Sequence, residues 1–221
     1  MIEKFGTQAF SENLIQITFA DVADFSRTCF ITADETGVIQ IQRDRITRNW
    51  RTRSNGQPYP GYEALRSAFL NQLTEFGQFL HQEQLGDLKP IQWELTYVNE
   101  LLIEHEHVAD ALTVWRDLLD PQGNVVDPET VSILTRYVLS SKESGSDLPF
   151  GRLYLEVRPA LRASTGDEIV FLTLTARGHT SIDGSPDLSY WLDEGHSAII
   201  RTFLSSTSLS KQREWGLRDA D

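Results

Sequence analysis

Apolar and polar residues alternate over residues 14–19 (Leu-Ile-Gln-Ile-Thr-Phe) with the two-residue period of a half-buried strand. Residues 27–32 and 38–42 repeat that character on either side of Asp34-Glu35-Thr36-Gly37, where the glycine supplies a turn, so the pair reads as a hairpin. Beyond the polar loop Ser54-Asn55-Gly56-Gln57-Pro58 the period changes. Tyr62, Leu65, Phe69, Leu73, Phe76 and Leu80 recur at helical spacing and predict an amphipathic helix from about residue 62 to 82, which needs a sheet to lie against. Residues 91–99 return to alternation, with Ile91, Trp93, Leu95 and Tyr97 on one face.

The later sequence follows a similar plan. Residues 131–139 and 153–158 are strand-like, and residues 169–175 pair with the latter across Ser164-Thr165-Gly166-Asp167. Ser185-Pro186-Asp187 marks a helix start, because proline is tolerated in the first turn. The stripe Leu192, His196, Ile199, Phe203 continues from it at helical spacing. A shorter helix is expected over residues 108–119, closed by Pro121-Gln122-Gly123-Asn124. Hairpin, polar loop and amphipathic helix thus occur twice. Runs of antiparallel strands followed by a helix predict an α+β fold: curved antiparallel sheets packed on two long amphipathic helices, from a duplicated hairpin–helix unit. The expected halves are residues 1–107 and 108–221, together one compact unit.

Composition adds compartment and solvent. With 40% hydrophobic residues in 221, the chain is an ordinary globular one, and no apolar run approaches the ~18–20 residues that span a bilayer. The start, Met1-Ile2-Glu3-Lys4-Phe5, lacks the charged and apolar regions of a signal peptide. A single cysteine, Cys29, fits a reducing cytosol; it lies in an apolar, strand-like run and is expected to be buried and inert. A cytoplasmic protein without a membrane association is the expectation.

Charge changes the picture further. A net charge of −12 argues against generic binding of a phosphate backbone, so nucleic acid is an unfavoured partner. Yet Arg43, Arg45, Arg48, Arg51 and Arg53 crowd one short segment, while residues 100–129 are strongly acidic. Trp50, Tyr59 and Tyr62 stand beside these arginines, which permits stacking and cation–π contact of roughly 0.5–2 kcal/mol each. The block reads either as a polar structural corner whose charges attract the acidic segment, or as a binding surface, since arginine–aromatic groups are enriched at interaction hot spots. The block also breaks strand parity: Ile39 and Ile41 are odd, Ile46 and Trp50 even, so a bulge or a strand end is expected near residues 42–45.

Candidate chemistry is sparse. No Gly-x-Ser-x-Gly elbow, P-loop or dinucleotide fingerprint is present. Glu104-His105-Glu106-His107 matches no zinc spacing and reads as a polar edge or loop, so neither metal nor cofactor is expected. His196 sits inside an apolar stripe, as a core histidine would, and His179 follows a turn-like Ala-Arg-Gly.

The order Gln40-x-Gln42, Arg45-x-x-x-Asn49-Trp50-Arg51, Tyr59-Pro60-x-Tyr62, a Phe-rich helix and Glu94-x-x-Tyr97-x-Asn99 carries a resemblance. So does the later Leu192-Asp193-x-x-His196-x-x-Ile199-x-x-x-Phe203 with Trp215-Gly216. Across roughly residues 38–216 the chain resembles a sporadically distributed, functionally uncharacterised family of bacterial proteins, mostly near 250 residues. The family usually has a longer segment before its first hairpin. The resemblance implies no activity, cofactor or catalytic residue; its patchy occurrence implies an accessory or defence-associated role.

Two functional expectations follow. The favoured one is a non-catalytic binding or scaffold protein that meets a protein partner through Arg45, Arg48, Asn49, Trp50, Arg51, Tyr59 and Tyr62. The alternative is a small-ligand-binding or hydrolytic domain with a pocket between helix and sheet, reached by Glu94, Tyr97, Asn99 or His196. Whether the chain forms a homo-oligomer is left open.

Overall fold

The structure is a computed structural model that describes residues 27–51, 58–102, 111–113, 132–140, 149–162, 165–180 and 187–216. Antiparallel sheets and helices make the fold α+β. The chain divides into two compact units between Lys89 and Pro90.

The first unit holds a three-stranded antiparallel sheet, β1 (Thr28–Ile31), β2 (Gly37–Gln42) and β3 (Arg45–Trp50), in that order. The β1–β2 hairpin closes where expected, with Thr32 N donating to Gly37 O at 3.0 Å. The parity conflict is resolved by a strand end rather than a bulge. Arg43 and Asp44 form a two-residue turn, and Gln42 pairs with Arg45, so odd residues of β2 share a face with even residues of β3. That face carries Phe30, Ile39, Ile41, Ile46, Arg48 and Trp50. The helix α1 (Tyr62–Gln82) follows, and its stripe from Tyr62 to Leu80 is half-buried, none of its residues fully so. Cys29 is exposed, contrary to expectation, because β1 is an edge strand whose four residues are all exposed.

The second unit contains the described hydrophobic core. Strands β4 (Gln92–Leu101), β5 (Ile133–Ser140), β6 (Pro149–Leu161) and β7 (Glu168–His179) form one antiparallel sheet in the order β4-β7-β6-β5. The alternation expected at residues 91–99 is correct in phase, since Trp93 is buried, and Leu95 and Tyr97 lie on the same face. Ile91, grouped with them, is 77% exposed because it precedes the strand. The pairing differs from the expected halves: β4 joins β7 rather than closing a first half that runs to residue 107. Alternation identifies the apolar face of a strand, but its partner is chosen by contacts far along the chain.

On the inner face Leu153, Leu155 and Val157 of β6 meet Leu172, Leu174 and Ala176 of β7 in register, all buried. Against them lies α2 (Leu188–Ser206), N-capped by Asp187, whose side chain accepts from Tyr190 N at 2.9 Å. It buries Trp191, Leu192, Gly195, Ala198 and Ile199, one helical face. The short α3 (Leu209–Glu214) is tied back by buried Gln212, whose Nε2 donates to Leu204 O, Thr207 O and Thr207 Oγ1 at 2.7–3.0 Å. Residues 14–19, the acidic segment around residues 104–107 and most of the helix expected over residues 108–119 lie outside the described residues.

Trp93 is the joint between helix and sheet. A Cβ added at Gly195 would stand 2.8 Å from its ring, and one at Gly178 would stand 2.7 Å from the ring and collide with the Phe150 carbonyl. A register shift at Leu139/Ser140 turns Phe150 out of the ladder. Its ring then stacks between Trp93 (6.4 Å) and Trp191 (5.1 Å). Gly195→Ala is therefore expected to destabilise the second unit by about 1–3 kcal/mol. An exposed helical glycine would instead gain about 1 kcal/mol from the same change. Urea unfolding followed by tryptophan fluorescence decides the sign.

Candidate functional site

The arginine–aromatic block lies within the first unit, and the sheet parity divides it. Arg45 and Asn49 point with Thr47 to one face, and both are exposed. Arg45 also makes a paired contact with Asp44, Nε to Oδ1 at 3.1 Å and Nη2 to Oδ2 at 3.2 Å, which holds the Asp44 carboxyl below its ordinary value. Arg51 continues the sheet edge, its N donating to Thr36 O at 2.9 Å and its Nε to Glu35 O at 3.3 Å. Tyr62 opens α1 and lies 5.8 Å beneath the Arg66 guanidinium. Arg48 and Trp50 share the opposite face with Ile46.

Arg48 and Trp50 line an open groove of about 450 Å³. Its other walls are Thr32, Ala33, Asp34, Thr36 and Gly37 of the β1–β2 turn, Pro58 and Pro60, and Ala64 and Leu65 at the start of α1. Tyr59 abuts Trp50 edge to face at 5.1 Å and is 46% exposed, so it extends the aromatic surface outward. Of these walls, Pro58, Pro60 and Leu65 were read in the sequence as loop, motif and helix stripe, while Ala33 and Ala64 were not singled out. The turn was read for its glycine, while its Thr-x-Asp-x-Thr pattern was the signal of a polar wall.

Two charges among the described residues line the groove, and they are in different states. Asp34 accepts from Thr32 Oγ1 at 2.5 Å, Thr36 N at 3.2 Å and Thr36 Oγ1 at 2.9 Å. These bonds, that from the Thr32 hydroxyl foremost, hold its carboxyl below the ordinary value of 3.8. Arg48 is the reverse. Its Nε is buried without a hydrogen-bond partner, and no hydrogen bond or ion pair of its guanidinium is found among the described residues. A buried donor left in that state costs free energy.

The residues expected to reach a pocket between helix and sheet fall on both faces of the second sheet. Tyr97 and His196 meet on the helix side, Oη 3.0 Å from Nδ1, and join β4 to α2. Asn99 lies on the same side and donates from Nδ2 to Leu172 O, 3.1 Å away on its paired strand. Glu94 lies on the opposite face, where it accepts from Arg177 Nε at 2.6 Å. Tyr97, Asn99 and His196 thus tie elements together, while Glu94 belongs to a surface ladder with Arg177 and Tyr154. Among the described residues no cluster of three metal-ligating side chains occurs, and no helix is long and apolar enough to cross a membrane.

Compared with family models, with curated proteins and with solved structures, the chain matches none.

Two outcomes test the geometry. Because folding lowers the Asp34 pKa, its support of the β1–β2 turn is complete above pH 3.8 and is lost as pH falls through the lower folded value. The Thr36 amide resonance should follow that titration with a midpoint below 3.8. Tyr97→Phe, which removes only the hydroxyl bonded to His196, should cost about 0.5–1.5 kcal/mol in urea unfolding.

Proposed function

We propose that this is a non-catalytic binding or scaffold protein that holds a protein partner on the arginine–aromatic surface of its first unit. Arg48, Trp50 and Tyr59 form the centre of the surface, with Arg45, Asn49, Arg51 and Tyr62 around it. The observation that carries the reading is Arg48: a half-buried guanidinium on an apolar sheet face, lining an open groove, with its Nε unsatisfied. A purely structural arginine is expected to carry a carboxylate or carbonyl partner, because an unpaired buried charge destabilises the fold that holds it. Trp50 and Tyr59 beside it supply the rigid aromatic area typical of interface centres.

The resemblance to a sporadically distributed bacterial family adds an accessory or defence-associated role to this reading, in the cytoplasm. The recurrence of a hairpin before a long helix, β2–β3 before α1 and β6–β7 before α2, supports a duplicated plan.

Arg48→Met separates the binding role from a structural one, since it keeps the side-chain length and removes the charge. The melting temperature should be unchanged or higher, because no native ion pair is broken. Native mass spectrometry of the protein gently purified from its own host, with and without nuclease, identifies the partner. Its affinity for the Arg48→Met variant should fall by about 2 kcal/mol or more, roughly thirtyfold in Kd. A destabilised variant that binds normally would overturn the reading.

A further inference from the structure

The face of the second sheet that turns away from α2 gathers positive charge. On β6, Arg152 and Tyr154 alternate with buried Leu153 and Leu155, so both point away from the helix. The register fixes their neighbours: Arg152 stands directly opposite Arg177 of β7, and Tyr154 directly opposite Arg136 of β5. Like charges opposed across neighbouring strands destabilise a sheet. Arg177 has a counter-ion in its register partner Glu94, which accepts from its Nε at 2.6 Å, and its guanidinium lies 6.0 Å from the centre of the Tyr154 ring. Arg152 donates from Nη1 to the Gly151 carbonyl at 2.8 Å. Among the described residues neither Arg152 nor Arg136 has an ion-pair partner. Glu156, the next acid along β6, is engaged by Arg158 at 3.7 Å. Arg136 is exposed, and Arg152 and Arg177 are part-exposed.

Three guanidiniums around Tyr154 stand against one carboxylate, an excess of two positive charges in a chain whose net charge is −12. A single aspartate or glutamate meets half of that excess. A phosphate monoester carries about −1.5 to −2 at neutral pH and three acceptor oxygens, so it meets nearly all of it. A nucleic-acid strand brings further phosphates along with the first, and an acidic protein repels them. On the same face of the edge strand β5, Leu134 and Val138 flank Arg136 and are 71% and 58% exposed, which gives apolar contact to a polypeptide segment. We propose that this face receives the phosphorylated side chain of a protein partner. Arg136 and Arg152 are its cations, and Arg177 stands beside them, held by Glu94 and Tyr154. The site belongs to the second unit and does not depend on the arginine–aromatic surface of the first.

The test uses the full chain and blocked pentapeptides, Ala-Leu-X-Leu-Ala, in which X is phosphoserine, glutamate or serine. Inorganic phosphate and a short oligothymidylate are titrated beside them, all by calorimetry near pH 7.5. The phosphoserine peptide should bind about tenfold or more tighter than the glutamate peptide, and the serine peptide should not bind. Its affinity should fall about tenfold in Arg136→Gln and in Arg152→Gln. In the unaltered protein it should fall toward about pH 5.5, where the phosphate approaches a monoanion. Arg152→Gln relieves the opposition with Arg177, so its urea midpoint should be unchanged or higher, whereas loss of a structural arginine would lower it. Arg48→Met should bind the phosphoserine peptide as the unaltered protein does.

Glutamate binding as tightly as phosphoserine, unchanged binding by Arg136→Gln and Arg152→Gln, or no binding of any peptide would each overturn the proposal. Inorganic phosphate binding as tightly as the phosphopeptide would mean an adventitious ion only, and tighter binding of the oligothymidylate would give the face to nucleic acid. Either result overturns it as well. If Arg48→Met loses the phosphopeptide while Arg152→Gln keeps it, the phosphate belongs to the first unit and the proposal falls.

Discussion

The ring of Trp93 occupies space left open by two missing side chains, and the second unit is organised around it. Gly178 of β7 and Gly195 of α2 bring backbone against the indole from sheet and helix, so the helix approaches at the distance the ring sets. Phe150, turned out of its ladder by the register shift, closes the remaining side and passes the stacking on to Trp191. Neither indole N–H finds an acceptor, although both tryptophans are buried. Each such orphan costs about 1–3 kcal/mol, so fit and apolar burial must outweigh it. Around Trp93 the joint is held by shape, and its polar contact is the Tyr97–His196 hydrogen bond further along β4.

The first unit is built on the opposite terms. No hydrophobic side chain among its described residues is fully buried, and an arginine stands in the middle of its apolar face between isoleucines and a tryptophan. Such a face gives up cohesion. The two units thus divide the work of the chain: one supplies the dense core, the other an unfinished surface.

Periodicity made the elements legible, and it did so where packing follows from neighbours along the chain. The limits of α1 and the phase of β4 were readable because spacing alone determines which residues share a face. Partnership was less readable. That β4 belongs beside β7, and that Cys29 sits on an exposed edge, depend on pairings that no local pattern encodes. The arginine block was visible as an anomaly of parity and composition. Only the register of the β2–β3 hairpin separates Arg48 and Trp50 from Arg45 and Asn49. The Thr-x-Asp-x-Thr pattern of the turn was visible, but which of its hydrogen bonds form depends on its backbone conformation.

The place of β4 also has a consequence in time. Glu94 and its ion-pair partner Arg177 are separated by 83 residues. At roughly 5–20 residues per second, a ribosome needs on the order of 4–17 s to make that stretch. Throughout that interval a strand bearing Trp93, Leu95 and Tyr97 is in the cell without the neighbour it is built to join. Long-range pairing of this kind is slow, and its unpaired edge is what chaperones recognise and aggregation exploits. The second unit is a structure whose first strand must be kept waiting.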